Sequence, residues 1–420
     1  MKLKPVSSYK AYLEEDRIEN LRLYKYGAVD KSPISKYILK HYWDFAIKLF
    51  PRWIAPNLIT LIGLFFMIAN VIIVCIWAPL LDTTAPNWIN FSFAAGLWLY
   101  STFDNVDGRQ ARRTGTSSPL GELFDHGCDA INCTYVALLQ CAALGLGHSP
   151  SSAILLFVTI IGFYLSTAEE YYTGVLYLGY VNGPTEGIIV TCLAFIWSGI
   201  YGIGSWHVPL KEISCLSWMG FLPSNTTFAD VFVIGMVLFF VVTHLPVCVY
   251  SIAQACNAKG LSKWRVFGNV FLPIVVTGSL ITFWIHLSSF TVYSQKHFIL
   301  FAIFIGFLFG EMASDIILAH LTKSEFPLFR NIYYPLALFA LLGALTEFTR
   351  FEYNEYFLLI GITCVTFVNY MIRAVRVINA FCEFLNIRCL VIPHHPKPVL
   401  PVATESESLL TTNGSNYSTI

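Results

Sequence analysis

The chain has 420 residues, is 56% hydrophobic and 12% charged, and carries no formal net charge. The composition excludes an ordinary soluble domain, while the net charge says nothing about partners; no nucleic acid is expected among them. A helix needs about 20 mostly apolar residues to cross a bilayer, and windows of that kind recur along most of the chain.

Residues 1–30 are polar and are expected in the cytosol, with no cleavable signal-peptide pattern. From Ser32 to Phe50 aromatic residues and lysines recur at helical spacing. This predicts an amphipathic helix, lying at the cytosolic membrane interface or packed as a soluble helix on the cytosolic loops. Pro51 and Pro56 then break the chain. Ten apolar windows follow at about 56–77, 88–105, 120–147, 151–172, 186–205, 229–252, 267–288, 298–322, 331–349 and 356–378. Backbone groups in lipid must be satisfied within the segment, which favours helices. Unbroken apolar runs such as Ile188–Trp197 lack the alternation of barrel strands. The expected architecture is all-α and integral to the membrane, with about ten transmembrane helices plus the N-terminal amphipathic interfacial helix. Residues 1–55 form the N-terminal segment, 56–378 the membrane domain, and 379–420 a mostly disordered cytosolic tail, rich in Pro and then Ser, Thr and Asn from Pro393.

Lys and Arg are unevenly placed. With those spans, 23 of the 26 fall on one side, leaving Lys211, Lys296 and Arg350 on the other. The positive-inside rule therefore predicts both termini, and the loop after the second window, in the cytosol. The sequon at Asn225 falls on the opposite side, a weak but consistent sign. The 11 cysteines are scattered without a C-x-x-C pair, which predicts neither a disulfide framework nor a zinc site.

The anomaly lies between Asp104 and Asp129, where four aspartates, four glycines and three arginines meet the edge of apolar segments. Ionisable groups beside lipid are costly unless something compensates them. Asp104 and Asp107 are spaced i, i+3, and Asp125 and Asp129 i, i+4, so each pair shares a helical face. Two helices joined by a short loop bring four carboxylates together, and such a set calls for divalent cations among them. All-oxygen ligation favours Mg²⁺, with Mn²⁺ as a substitute. Two ions about 3.5–4 Å apart form a clamp suited to phosphoryl displacement. Gly108 and Gly121 permit close approach of a ligand or helix, and Arg109, Arg112 and Arg113 suit phosphate oxygens. A merely solvated loop leaves Asp125 and Asp129, inside a span, unexplained. An ion-coupled transporter would instead spread its acids over several helices near the midplane.

The spacing Asp104-x2-Asp107-Gly108-x2-Ala111-Arg112-x8-Gly121-x3-Asp125-x3-Asp129 resembles the signature of the CDP-alcohol phosphatidyltransferases. Gln110-Ala-Arg-Arg-Thr and Gly121-Glu-Leu-Phe-Asp-His-Gly are similar to its eukaryotic choline/ethanolamine phosphotransferase branch, as is Ala55-Pro-Asn-Leu-Ile-Thr. The resemblance implies transfer of phosphocholine or phosphoethanolamine from CDP-choline or CDP-ethanolamine to diacylglycerol, with CMP released. It also implies a homodimer in the endoplasmic reticulum (Golgi second), with its cavity open to the cytosol. The four aspartates become the ligands of two metals. Asn57 and Glu122 become contacts of the CDP-alcohol, and Gly108 and Arg112 neighbours of its phosphates. A relative with another acceptor, such as inositol or glycerol phosphate, is the alternative; a phosphorylated soluble acceptor calls for a further cationic site, and none is located in the sequence.

The acceptor hydroxyl must lose its proton. His126 is the candidate base, since imidazole titrates near neutrality, with Asp129 the alternative. Glu186, at the mouth of the fifth window, is expected to orient it or to serve as an N-terminal helix acid. Glu169-Glu170-Tyr171-Tyr172 combines acids and aromatics suited to an ammonium ion, which leaves choline and ethanolamine both open. Glu311, Asp315 and His320 are read as structural, with a lining of the lipid-access cavity or a dimer contact as the alternative.

Overall fold

The computed structural model describes residues 15–24, 27–179, 184–212, 223, 225–286, 291–294, 296–328, 333–349 and 354–392. Ten long helices stand at the ten windows: α1 (Pro56–Trp77), α2 (Trp88–Thr114), α3 (Pro119–Ala143), α4 (Pro150–Thr173), α5 (Pro184–Tyr201), α6 (Phe228–Lys259), α7 (Lys263–His286), α8 (Phe298–Thr322), α9 (Tyr333–Thr349) and α10 (Glu355–Leu385). Seven of them are long and apolar enough to cross a membrane by length and composition. The other three are α9, which has 17 residues, and α2 and α3, which carry the aspartates and arginines. The chain is an all-α membrane protein, as its composition predicts.

Boundaries differ from expectation where a side chain or cap governs them. α2 runs on to Thr114 and stops at Gly115, whose left-handed φ of 67° suits glycine. α6 continues to Lys259 through one π-helical stretch at Phe240–His244. α10 extends to Leu385, past the expected edge at 378. Its chain then folds back, so that Val391 pairs with Ile54 just ahead of α1. The expected tail is thus ordered as far as this bridge, and residues 393–420 lie outside the described residues, as do Gly183 and Arg350.

Two ends of the bundle are distinct. At one, β1 (Ala28–Asp30) pairs in parallel with β2 (Leu176–Leu178) beyond α4, and Gln110 near the end of α2 donates to Ile54 O at the Ile54–Val391 bridge. At the other, the His148 ring contacts Pro79 O at 2.9 Å and accepts from Phe298 N at 3.0 Å. Those contacts draw together the loops after α1, after α3 and before α8. Segments that charge counting assigns to one side meet at one end.

Residues 33–49 form the amphipathic helix, with Leu39, Trp43 and Ala46 turned inward. Its outer face exposes Tyr37, Ile38, Phe45 and Leu49, an apolar stripe flanked by Lys36, Lys40 and Lys48. A helix merely packed on polar loops would show water a polar face. α8 is the most buried of the spans, and its Gly306 and Gly310 explain how. A Cβ on either would meet Thr134 or Ile131 of α3 at 2.6 Å. Small residues one turn apart let the two backbones close up, the usual device of helix pairs in lipid.

Candidate active site

Ser118 starts α3 by accepting from the Gly121 N–H at 3.3 Å, with Pro119 in the first turn, so α2 and α3 form the expected hairpin. Carboxylate oxygens of Asp104, Asp125 and Asp129 lie within 4.8 Å of one another. Asp107 is buried, interacts electrostatically with Asp129 and accepts a hydrogen bond from Thr60 of α1. Tyr100 donates to Asp129 Oδ1 at 2.6 Å. Oδ1 of Asp104 and Oδ1 of Asp125 are buried without a hydrogen-bond partner. Buried carboxylate oxygens are rarely left unsatisfied, and an all-oxygen set converging in this way fits a hard divalent cation.

Thr60 and Tyr100 are not in the signature, yet helical spacing marks both. Thr60 follows Asn57 by one turn in a mostly apolar span, and Tyr100 precedes Asp104 by one turn. Asn57 is buried at the head of α1 and donates from Nδ2 to Cys389 Sγ at 3.6 Å. Burial pushes that thiol up in pKa, with Asn57 acting against it. A Cβ on Gly108 or Gly121 would meet nothing nearer than 3.6 Å, so these glycines leave room at the site instead of receiving a neighbouring helix.

The three arginines divide. Arg113 donates to Ile47 O, Phe50 O and Gln110 Oε1, and Arg109 reaches Asp44 and lies over the Trp43 ring. Both hold the amphipathic helix against α2. Arg112 is exposed, lies beside Gly108, and has no hydrogen bond among the described residues. Of the three it is the one open to a phosphate.

His126 is buried on α3, and its Nδ1 stands 3.6 Å from Glu170 Oε2 of α4. Glu186 sits elsewhere: it accepts from Ser32, the residue that opens the amphipathic helix, and its Oε2 is buried without a partner. The expected pairing of Glu186 with His126 is therefore not the one in this structure. Sequence spacing cannot find the Glu170 contact, because it joins different helices.

Glu122 joins a second cluster. Its carboxylate, that of Glu170 and the His320 ring offer atoms all within 4.8 Å of one another, and Tyr24 donates to Glu122 at 2.6 Å. Glu311 and Asp315 do not join His320 there. Arg373 of α10 binds both of them, so those two acids are structural, and one of the cations counted as cytosolic is turned into the bundle.

The sequence profile of the CDP-alcohol phosphatidyltransferases, described in those words, matches residues 53–191, which span α1 to the first turns of α5. The chain is 39% identical to cholinephosphotransferase 1 of Saccharomyces cerevisiae over 325 residues, 76% of this chain and 81% of that protein. It is 31% identical to choline/ethanolaminephosphotransferase 2 of Arabidopsis thaliana, over 90% of this chain and 97% of that one. Ethanolaminephosphotransferase 1 of Mus musculus is 27% identical over 87% of this chain and 91% of its own length. The chain belongs to the CDP-alcohol phosphatidyltransferase family.

Proposed function

We propose that this protein transfers phosphocholine or phosphoethanolamine from CDP-choline or CDP-ethanolamine to diacylglycerol, giving phosphatidylcholine or phosphatidylethanolamine and CMP. The convergence of Asp104, Asp125 and Asp129, with Asp107 beside them, carries the reading. A transferase working on a pyrophosphate needs such a set. Relatives named for both headgroups support it.

Two bound Mg²⁺ ions, with Mn²⁺ as a substitute, supply charge neutralisation for the pyrophosphate and the departing CMP. Asp104, Asp107, Asp125 and Asp129 would hold them, and Thr60 and Tyr100 fix the orientation of Asp107 and Asp129. Asn57, Gly108, Arg112 and Glu122 line the CDP-alcohol. The sn-3 oxygen of diacylglycerol attacks the phosphorus that bears the amino alcohol, and the bond from that phosphorus to the CMP oxygen breaks. His126 takes the hydroxyl proton on Nε2. Glu170 on the Nδ1 side favours the tautomer with its proton there. Glu186 takes the different place of an acid in the first turn of α5, held by Ser32. The chain works as a homodimer in the endoplasmic reticulum, with the aspartates facing the cytosol. The side is supported by the distribution of its cations.

The test is phospholipid formation by purified protein from labelled CDP-choline or CDP-ethanolamine, diacylglycerol and Mg²⁺. No product from either donor would sink the reading. In the same assay His126→Ala is expected to lose roughly 10²–10⁴ in turnover while still binding CDP-alcohol. Near-normal turnover would transfer the base to Asp129.

A further inference from the structure

Beside the aspartates lies the cluster formed by Glu122 of α3, Glu170 of α4, His320 of α8 and Tyr24 from the N-terminal segment. Both glutamates are more than nine-tenths buried, at 8% and 6% exposure. Neither is ion-paired with a Lys or Arg among the described residues. The Glu170 carboxylate has no hydrogen bond among them, its nearest basic atom being His126 Nδ1 at 3.6 Å. Two buried carboxylates without a compensating cation mark a place where a cation arrives from outside. Resting on the transfer reaction above, we propose that this cluster binds the primary ammonium of the CDP-alcohol headgroup, and so favours ethanolamine over choline.

Position supports this assignment. Glu122 precedes Asp125 by three residues, which is one turn and a rise of about 4.5 Å on the same helix face. A phosphorus held at the aspartates places an amino group, two carbons beyond its ester oxygen, at the next turn. The chemistry of the lining is also selective. Carboxylates and a phenol oxygen are acceptors, and a primary ammonium has three donors to give them. A trimethylammonium has none and is recognised on aromatic faces. The nearby aromatics are engaged with one another: Tyr172 stacks on Phe326 at 5.7 Å, and Tyr171 packs edge-on against both. Tyr171 also spends its hydroxyl on Ser324 O at 2.7 Å. Of the acids in Glu169-Glu170, only Glu170 enters the cluster; Glu169 faces Cys248 of α6.

The experiment measures binding to the full chain in detergent or nanodiscs with Mg²⁺, for CDP-ethanolamine, CDP-choline and the uncharged CDP-ethylene glycol. The wild-type chain should bind CDP-ethanolamine tightest. Glu170→Gln should weaken that donor roughly tenfold to a hundredfold and leave the uncharged analogue unaffected. Glu170→Asp should recover part of the difference, which a folding defect would not. Equal weakening of all three ligands, or no wild-type preference for the primary ammonium, overturns the proposal. So does the loss of one bound Mn²⁺ in Glu170→Gln, which would make the cluster a metal site. Because the readout is binding, absence of phospholipid product would strike the proposed reaction and leave this comparison standing.

Discussion

Two of the charged groups inside this bundle, among the described residues, differ in whether the protein supplies the opposite sign. Glu311 and Asp315 of α8 are met by Arg373 of α10, whose Nη1 lies 2.8 Å from Glu311. Asp104, Asp125 and Asp129 converge with no cation of the protein among them, and two of their buried oxygens have no hydrogen-bond partner. The first group is closed and serves to join α8 to α10. The second is open, and its missing charge must come from solution. Acidic residues in a span therefore do not by themselves mark function; an absent counter-charge does.

The largest effect that bears on this contrast is expected from Asp125→Asn. Turnover should fall by roughly a hundredfold to a thousandfold or more. In chelator, thermal stability should be unchanged or raised, because one of several like charges has gone. A variant that melts well below the wild-type chain in chelator would show that the aspartates are as structural as the triad. Next comes Arg373→Met, which takes the guanidinium from half-buried Glu311 and buried Asp315 and should cost up to about 3–5 kcal/mol. Adding Glu311→Gln and Asp315→Asn should restore most of it, with melting temperatures as the readout; an unchanged melt in the single variant would remove the triad's claim to stability. The smallest is Thr60→Val. Losing the hydrogen bond to Asp107 should raise the Mg²⁺ requirement by about 10–100-fold with little change in turnover at saturation. A Mg²⁺ titration that overlays the wild-type curve would mean that Thr60 plays no part in orienting Asp107.

Much of this architecture is legible in the sequence, because hydropathy and helical spacing are local properties. The windows locate ten helices, and the aspartate pairs lie on faces that the hairpin brings together. What the sequence hides is which face meets which. Arg373 lies 58 residues from Asp315, and nothing in its surroundings marks it as the partner of an acid on another span. Arg109 and Arg113 read as phosphate ligands because their residue type suits phosphate; the structure spends them on Asp44 and on the carbonyls of Ile47 and Phe50. The setting of Glu170 is concealed in the same way. The sequence offers it as an ammonium partner at the end of α4, but does not show that α3 places His126 and Glu122 beside it. Only the tight packing of α8 had a local trace, the pair Gly306 and Gly310.

The N-terminal segment has a consequence for how the molecule is made. Asn20 donates to Thr322 O, Tyr24 to Glu122 and Ser32 to Glu186, across separations of 302, 98 and 154 residues. A ribosome releases the donors first and their acceptors much later, after several helices have already entered the bilayer. The mouth at this end of the bundle therefore cannot close in step with insertion. It waits for α8, when the earliest part of the chain finally meets its last partner. Synthesis and competence are separated in time, and a chain halted after α7 would hold all four aspartates behind an unfinished entrance.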